Sequence, residues 1–578
     1  MQGELLLLLA IHLALTGLPG IAVAVFAASR GERREPVLLA TFLAASGAAA
    51  MLAFWAYYGE HEIGQTVSFF LVFGSVLLAA WSLYDGDIER QLLRRLSVPL
   101  ALWAFGSAFI VFLGFAHGGT DQAVFVSGNR FSSPLPSDND IPHFFSDWFF
   151  THGHDGTPPE FLDWLSSDRP PLQTAYANFE RTFAWDNIGL HYEVLGVVLQ
   201  QLWIVGLWAL LSAAKVGRWT KLLVMLTVVV SNVAIVNGFY VWPKMLPAGL
   251  LLGAAALTLT PLWSELKRQW LGAVLVGALF GLAMLGHGAS AFGILPLALV
   301  AAWRGLPSWR WLGVLLLAGA VFVLPWSAYQ SYGDPPGNRL TKWFLGGFNE
   351  KDDRGTVETI IDGYSEAGVV GTLHKKGQNF VAIFGGGAMT QNLRTAWFAL
   401  TDGDLETVVR SIRTIFFFNL VPSLGLLLAG PVAMALRYRS RDRRGASDWT
   451  LAASLLLAFA VGTIAWALIQ FGGWTAQTVI HQGSLLLPLL GICGCAVGLC
   501  AAYPRFARWY LAFNAALMLA LYVPVLEPHE NTSWEPLSLL LAALFLIAFV
   551  ALSWTGSRSS PRRSFARSPM PSPPRNPA

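Results

Sequence analysis

Residues 118–190 combine acids, an arginine and prolines in a spacing that suits chemistry beside a membrane. Asp138 and Asp140 precede a short aromatic segment, and Asp168 and Arg169 stand directly before two prolines. Prolines restrict their own backbone and that of the preceding residue, so the second pair lies on a rigid segment. An acid at a helix start, with a rigid arginine brought back against it, predicts a site at the bilayer surface.

The local elements that would hold these residues can be placed from the sequence. Ser137 or Asp138 is a candidate cap for a helix over about 140–151. Pro142 falls in the first turn of that helix, where its missing N–H costs nothing. Four aromatic residues in the same helix suit the membrane interface. A second short helix is expected near 159–166.

The composition of the whole chain predicts an all-α polytopic membrane protein. The sequence is 54% apolar and 13% charged, with a mean hydropathy of +0.52. Its continuous apolar runs fit membrane helices of about twenty residues rather than the alternating strands of a barrel. We expect about 15 transmembrane helices, at 4–28, 37–58, 65–84, 97–117, 191–213, 219–236, 245–263, 270–286, 288–303, 310–328, 412–436, 449–470, 482–502, 508–526 and 536–554.

Basic residues follow every odd-numbered window and therefore orient the chain. Examples are the arginines at 30–34 and the five arginines at 437–444. The N terminus is then outside and the C terminus cytoplasmic, in a multi-pass protein of the plasma (inner) membrane. The long loops 118–190 and 329–411 both become extracytoplasmic. The net charge of +3 reflects this topology, so no nucleic-acid partner is expected.

The first outer loop resembles that of polyprenyl-phosphate-dependent glycosyltransferases of the GT-C superfamily, such as protein mannosyltransferases and aminoarabinose transferases. Several branches of that superfamily read Asp-Glu-Pro-His-Tyr, then a basic residue and Pro-Pro-Leu before the next span. The matching runs here are Asp-Ile-Pro-His-Phe at 140–144 and Arg-Pro-Pro-Leu at 169–172. Ile141 stands where the family often has Glu, and Asp138 is the candidate replacement.

The order of the predicted spans agrees with the same resemblance. Windows four to ten are seven spans that begin inside, with a long outer loop after the first span and another after the last. The implied divisions are an N-terminal three-helix addition at 1–96, a GT-C-like seven-helix module at 97–328, a second outer loop at 329–411, C-terminal helices at 412–556 and a disordered basic cytoplasmic tail at 557–578.

The resemblance implies roles for the residues of the first outer loop. Asp140 is the candidate general base for an acceptor hydroxyl, and Asp138 is a second acid of the site or a metal contact. Arg169, Asp168 and His143 are candidate substrate-binding residues. The structural alternatives are a helix cap for either acid and a plain Asp168–Arg169 salt bridge.

Polar residues elsewhere complete the candidate site. Residues of this kind at membrane depth are costly and usually functional, and a donor phosphate needs cations. The alternatives are Lys side chains that reach the membrane surface and histidines hydrogen-bonded within the structure. The further candidates for substrate binding are Lys244, His287, Arg339, Lys342 and His481.

We therefore expect a membrane glycosyltransferase that moves a sugar from a polyprenyl-phosphate donor to a glycan, lipid or protein acceptor at the extracytoplasmic face. The sequence assigns no definite cofactor, and a divalent cation is a candidate one with unassigned ligands. A transporter or flippase of lipid-linked glycans and a polysaccharide polymerase or ligase are the alternatives. The chain has no HExxH, CxxC pair or Walker loop, which disfavours a zinc peptidase or an ATP-driven pump.

Overall fold

The computed structural model describes residues 1–131, 135–438, 446–472, 485–524 and 534–557. Within these ranges the regular elements are helices, and the only β-type pairing is one bridge between Phe161 and Trp164. The predicted all-α class is confirmed for the described part of the chain. The predicted tail at 557–578 lies outside it, apart from Ser557.

The helices of the first half of the chain include those of the predicted outer loop 118–190. In chain order they are α1 (Gln2–Ser29), α2 (Glu35–Gly59), α3 (His61–Asp85), α4 (Arg90–Gly114), α5 (Ala123–Ser127), α6 (Ile141–His152), α7 (Leu172–Arg181), α8 (Ile188–Gln200), α9 (Trp203–Ala213), α10 (Arg218–Val229), α11 (Asn232–Phe239), α12 (Met245–Thr258), α13 (Trp263–Leu266), α14 (Trp270–Gly286) and α15 (Ala291–Trp303).

The helices of the second half include those of the second outer loop. They are α16 (Trp309–Tyr332), α17 (Arg339–Gly346), α18 (Thr356–Ile383), α19 (Gly386–Thr401), α20 (Leu405–Phe418), α21 (Leu420–Ser423), α22 (Ala429–Tyr438), α23 (Ala446–Ile469), α24 (Leu486–Ala502), α25 (Pro504–Tyr522) and α26 (Pro536–Gly556).

Several of the described helices could span a membrane. Eight pass on length and apolar composition: α1 to α4, the continuous pair α8–α9, α16, α23 and α26. The pair α10–α11 is bent by 49° and would add a ninth span. Five further apolar segments have only 10–17 residues. The expectation of a polytopic membrane protein fits this pattern, and the count of fifteen spans remains a prediction.

Helix α2 packs at the centre of the bundle, against α1, α3, α7, α9, α12 and α14. A close crossing of α9 and α12 lies beside it: a Cβ on Gly206 would come within 2.4 Å of the Gly249 carbonyl oxygen. On α4, the Trp103 indole donates to the Val198 carbonyl oxygen of α8 at 2.8 Å. The division at residue 96 stays a prediction, but the helices before it pack directly on those that hold the candidate site.

The first outer loop folds back onto this bundle. The helix predicted at 140–151 is confirmed as α6, but neither Ser137 nor Asp138 is its N-cap. The cap residue is Asp140, and its side chain makes no capping hydrogen bond. Helix α7 was not predicted, and its residues from Leu172 to Glu180 are buried.

The helix predicted at 159–166 is wrong. Phe161 and Trp164 instead exchange backbone hydrogen bonds of 3.0 and 2.9 Å across a two-residue turn. Leu162 and Asp163 form this turn with positive φ angles of 48° and 67°. Two consecutive left-handed residues close a hairpin turn and cannot continue a right-handed helix.

Candidate functional site

Helix α6 separates two cavities, and its helical period decides which residue faces which cavity. Ile141, Phe145 and Phe149 line the first cavity. His143 and Ser146 line the second cavity. Two of the aromatic residues predicted for one face of this helix, Phe145 and Phe149, thus line the first cavity. The polar residues on the neighbouring part of the helix line the second cavity.

The first cavity encloses about 450 Å³. Asp138, Arg169 and His287 supply its charged and titratable lining, and Trp242 and Trp326 supply aromatic walls. These residues come from the first outer loop, the α11–α12 connection, the end of α14 and α16. A charged patch inside an apolar cavity suits an amphipathic ligand with an anionic head.

Asp138 and Arg169 form an ion pair in this lining, with 3.4 Å between Oδ1 and Nη2. Their side chains are 19% and 13% exposed. The Arg169 guanidinium carbon lies 4.0 Å from the centre of the Trp164 ring, which fixes the orientation of the arginine. Arg169 Nε has no hydrogen-bond partner within the described residues, so this arginine keeps donor capacity for a ligand.

Lys244 directly follows two lining residues of the first cavity, Trp242 and Pro243, and His287 is itself part of the lining. Lys244 and His287 are both buried, with 0% and 2% exposure. The Lys244 ammonium lies 3.3 Å from the centre of the Trp242 ring. Lys244 is within electrostatic range of Asp138 and Arg169, and His287 is within range of Lys244 and Arg169. Three candidates predicted from distant parts of the sequence, Asp138, Arg169 and His287, thus line one cavity, and Lys244 lies within electrostatic range of two of them.

Asp140, the residue before α6, lines neither the first nor the second cavity. Its Oδ1 accepts a hydrogen bond of 3.0 Å from His143 Nδ1, and its side chain is 35% exposed. The His143 ring faces the second cavity and lies 4.9 Å from the Tyr192 ring. Asp140 and His143 therefore form an accessible acid–imidazole pair, and the pair is separate from the cation cluster.

The second cavity encloses about 290 Å³ and contains polar residues that the sequence analysis missed. His191 Nδ1 lies 3.2 Å from His12 Nε2, and His12 Nδ1 lies 2.6 Å from Glu180 Oε2. Thr16 donates to the other oxygen of Glu180 at 2.6 Å. The available signal was His12 inside an otherwise apolar window, since an isolated polar residue at that depth needs a partner.

Arg339 and Lys342 do not line the first cavity. Arg339 Nη2 pairs with Asp163 Oδ2 at 3.1 Å, and Lys342 Nζ pairs with Asp352 Oδ1 at 2.5 Å. The Arg339 guanidinium also lies 4.2 Å from the Trp164 ring that Arg169 contacts. The structure thus gives Arg339 and Lys342 protein partners, and it links the two outer loops through Trp164.

Asp168 does not form the plain salt bridge with Arg169 that was the alternative prediction. Its Oδ2 accepts a hydrogen bond of 3.0 Å from the Leu165 N–H, so it braces the rigid segment before the prolines. Burial raises the pKa of the Asp168 carboxyl. Next to it, Ser166 donates to Asp334 at 2.6 Å, which is a second link between the outer loops.

The remaining candidate, His481, lies outside the described residues. Within the described ranges, no three His, Cys, Asp or Glu side chains come together as a metal site. Comparisons with models of known protein families, with curated proteins and with solved structures give no match. The chemistry of the cavities is therefore the basis for a functional proposal.

Proposed function

We propose that this protein is a GT-C-like membrane glycosyltransferase that moves a sugar from a polyprenyl-phosphate donor to an acceptor. The proposal includes about fifteen spans in the plasma (inner) membrane, with both long loops outside. One observation carries it: Asp138, Arg169 and His287 line one cavity with aromatic walls, and Lys244 lies within electrostatic range of two of them. That combination suits an anionic group attached to a long apolar chain.

The cations would bind the donor phosphate. An anion in a poorly solvated cleft must be paired with cations and hydrogen-bond donors. The Arg169 guanidinium suits two phosphate oxygens, and the Lys244 ammonium adds a point charge. Trp242 and Trp326 offer apolar contact to the first isoprene units. These features support a site for the leaving phosphate rather than for a soluble sugar alone.

Asp140 would act as the general base. Its carboxylate would accept the proton of the acceptor hydroxyl while the hydroxyl oxygen attacks the anomeric carbon of the donor sugar. The bond between that carbon and the phosphate oxygen breaks, and its electron pair stays on the phosphate. The hydrogen bond from His143 Nδ1 keeps the carboxylate oriented. The acceptor would reach the donor sugar at the start of α6, where Asp140 follows Asp138 by two residues.

A transporter or flippase of lipid-linked glycans is the second candidate, and the 49° bend between α10 and α11 favours it. Broken helices commonly form the substrate sites of transporters. The two candidates differ in their products. A transferase cleaves the bond between sugar and phosphate, whereas a flippase returns the lipid-linked sugar intact on the other side of the bilayer.

The test is release of polyprenyl phosphate from a panel of polyprenyl-phosphate sugars by the purified protein in liposomes. Asp140→Asn should reduce release by at least ~10²-fold and preserve donor binding, because a general base contributes on this scale. Asp155→Asn is the matched control, since that acid lies in the same loop and its side chain is 87% exposed. Intact lipid-linked sugar that changes leaflet without cleavage would favour the flippase and reject the transferase.

A further inference from the structure

A third cavity, of about 610 Å³, lies where several helix ends meet. Its lining includes Glu35 at the start of α2 and Arg95 in the second turn of α4. Lys215 and Arg218 line it from the connection between α9 and α10, and Gly556 lines it at the end of α26. None of these residues belongs to the two cavities beside α6.

This third cavity lies at the opposite end of α4 from the first outer loop. The 20 residues from Arg95 to Gly114 extend about 29 Å at the rise of an α-helix. That length is close to the roughly 30 Å thickness of a bilayer hydrocarbon core. The cavity therefore lies at the other membrane interface from the proposed catalytic site, and its function is independent of that site.

The lining of the third cavity carries an excess of positive charge. It contains one acid, Glu35, whose Oε1 accepts hydrogen bonds from Trp208 Nε1 at 2.8 Å and from Ser212 Oγ at 3.1 Å. The four cations of the lining are Arg95, Lys215, Arg218 and Lys221. None of them forms a salt bridge with an acid in the described part of the chain.

Neutral groups hold two of these cations in place. Lys221 is 9% exposed; its ammonium donates to Ser212 Oγ at 2.7 Å and lies 4.0 Å from the Trp208 ring centre. The Arg218 guanidinium carbon lies 3.9 Å from the Trp554 ring centre. Glu35 lies within electrostatic range of Lys221, but one acid among four cations leaves an excess of positive charge in the lining, so an anion in the cavity would stabilise this arrangement.

We propose that the third cavity binds a phosphate group, supplied by the headgroup of an anionic lipid or by a soluble phosphate. Guanidinium groups such as those of Arg95 and Arg218 match pairs of phosphate oxygens, and lysines add point charges. Arg218 is also the first residue of α10, where unpaired backbone N–H groups attract anions. The basic loops at this end of the bundle would meet the anionic lipids of the cytoplasmic leaflet.

The experiment measures binding of two probes, inorganic phosphate and short-chain phosphatidylglycerol, to the purified full chain in neutral detergent. Arg95→Gln and Arg218→Gln should each weaken binding by about tenfold, the effect of losing one charge-assisted contact. Arg94→Gln is the matched control, because this exposed arginine is adjacent to Arg95 on α4 and does not line the cavity. Its binding should equal that of the unmodified protein.

Competition between the probes distinguishes the two sources of phosphate. Phosphatidylglycerol binding that phosphate displaces only at high concentration supports a lipid headgroup. Phosphate binding that the lipid does not displace supports a soluble ligand. The proposal is overturned if neither probe binds to the unmodified protein. It is also overturned if Arg95→Gln and Arg218→Gln bind both probes normally, or if Arg94→Gln weakens binding equally.

Discussion

Replacing Asp138 by Asn removes one negative charge from the first cavity and preserves the shape of the side chain. Asp138 is the one acid among the described residues that line this cavity, and it lies 3.4 Å from Arg169 Nη2. Lys244 lies within electrostatic range of the same acid. We expect the variant to be less stable without ligand, because buried cations lose their acidic neighbour.

The size of the loss follows from the exposure of the ion pair. An exposed pair contributes about 0–1 kcal/mol, whereas removal of one partner from a fully buried pair costs about 3–5 kcal/mol. The side chains of Asp138 and Arg169 are 19% and 13% exposed, which is between these limits. We therefore expect the free energy of unfolding to fall by about 2 kcal/mol.

Ligand affinity should change in the opposite direction. In the unmodified protein a donor phosphate enters beside a carboxylate, and their repulsion opposes binding. In Asp138→Asn this repulsion is absent and the cations have no competing acid in the lining. We expect the dissociation constant for polyprenyl phosphate to fall by about tenfold, which corresponds to about 1.4 kcal/mol.

The assay combines denaturant unfolding with direct binding of polyprenyl phosphate to the purified variant. Asp155→Asn serves as the control for a surface acid of the same loop. Equal or weaker binding by Asp138→Asn, accompanied by the expected loss of stability, would refute the reasoning. It would mean that the phosphate does not bind beside Asp138.

Three further results are expected. Arg169→Gln should weaken polyprenyl-phosphate binding by about tenfold or more, and Arg169→Lys should recover part of the affinity. Arg339→Gln should weaken binding less than about threefold, because the Arg339 guanidinium already pairs with Asp163. Equal losses of affinity in Arg169→Gln and Arg339→Gln, measured by direct binding, would contradict this difference. Burial raises the pKa of Asp168, so stability should fall as the pH rises from about 4 through the raised value; Asp168→Asn should lack this fall in melting temperatures measured across pH, and identical profiles would reject the assignment. Tags in 118–190 and 329–411 should react with an impermeant reagent from outside and tags in 437–448 should not; a protected tag in 118–190 would reject the proposed topology.

The sequence predicted α6 because local signals specify this helix. Pro142 in the first turn and the aromatic residues define the helix without tertiary information. The same signals could not tell that Asp138 lines the first cavity whereas Asp140 does not. That difference depends on the backbone turn at Ser137–Asn139 and on Arg169, which approaches Asp138 from another segment of the chain.

Helix α7 was missed because it is buried and yet rich in polar residues. Gln173 donates to the Tyr192 hydroxyl and to the Val241 carbonyl oxygen, both at 2.7 Å. Glu180 receives its hydrogen bonds from His12 and Thr16. These partners come from other helices, so hydropathy along the chain treats the segment as an exposed loop.

The span count shows a second limit of hydropathy. The window predicted at 412–436 is mostly apolar, with a few polar residues such as Arg413 and Asn419, but helix α20 ends at Phe418 and the chain continues as short helical segments. Gly425 has a φ of 49°, a left-handed conformation that interrupts a helix. A hydropathy window averages across such a break and does not detect it. The backbone conformation of a glycine depends on the surrounding packing, which hydropathy along the chain does not describe.

The most direct test of the central claim is to locate a bound polyprenyl phosphate on the chain. A photoreactive polyprenyl phosphate with its reactive group beside the phosphate would be crosslinked to the purified protein, and the modified peptides identified by mass spectrometry. We predict labels near Arg169 and within 242–244, reduced in Arg169→Gln and competed by unlabelled polyprenyl phosphate. Competable labels found only elsewhere, with no label around the first cavity, would contradict the account.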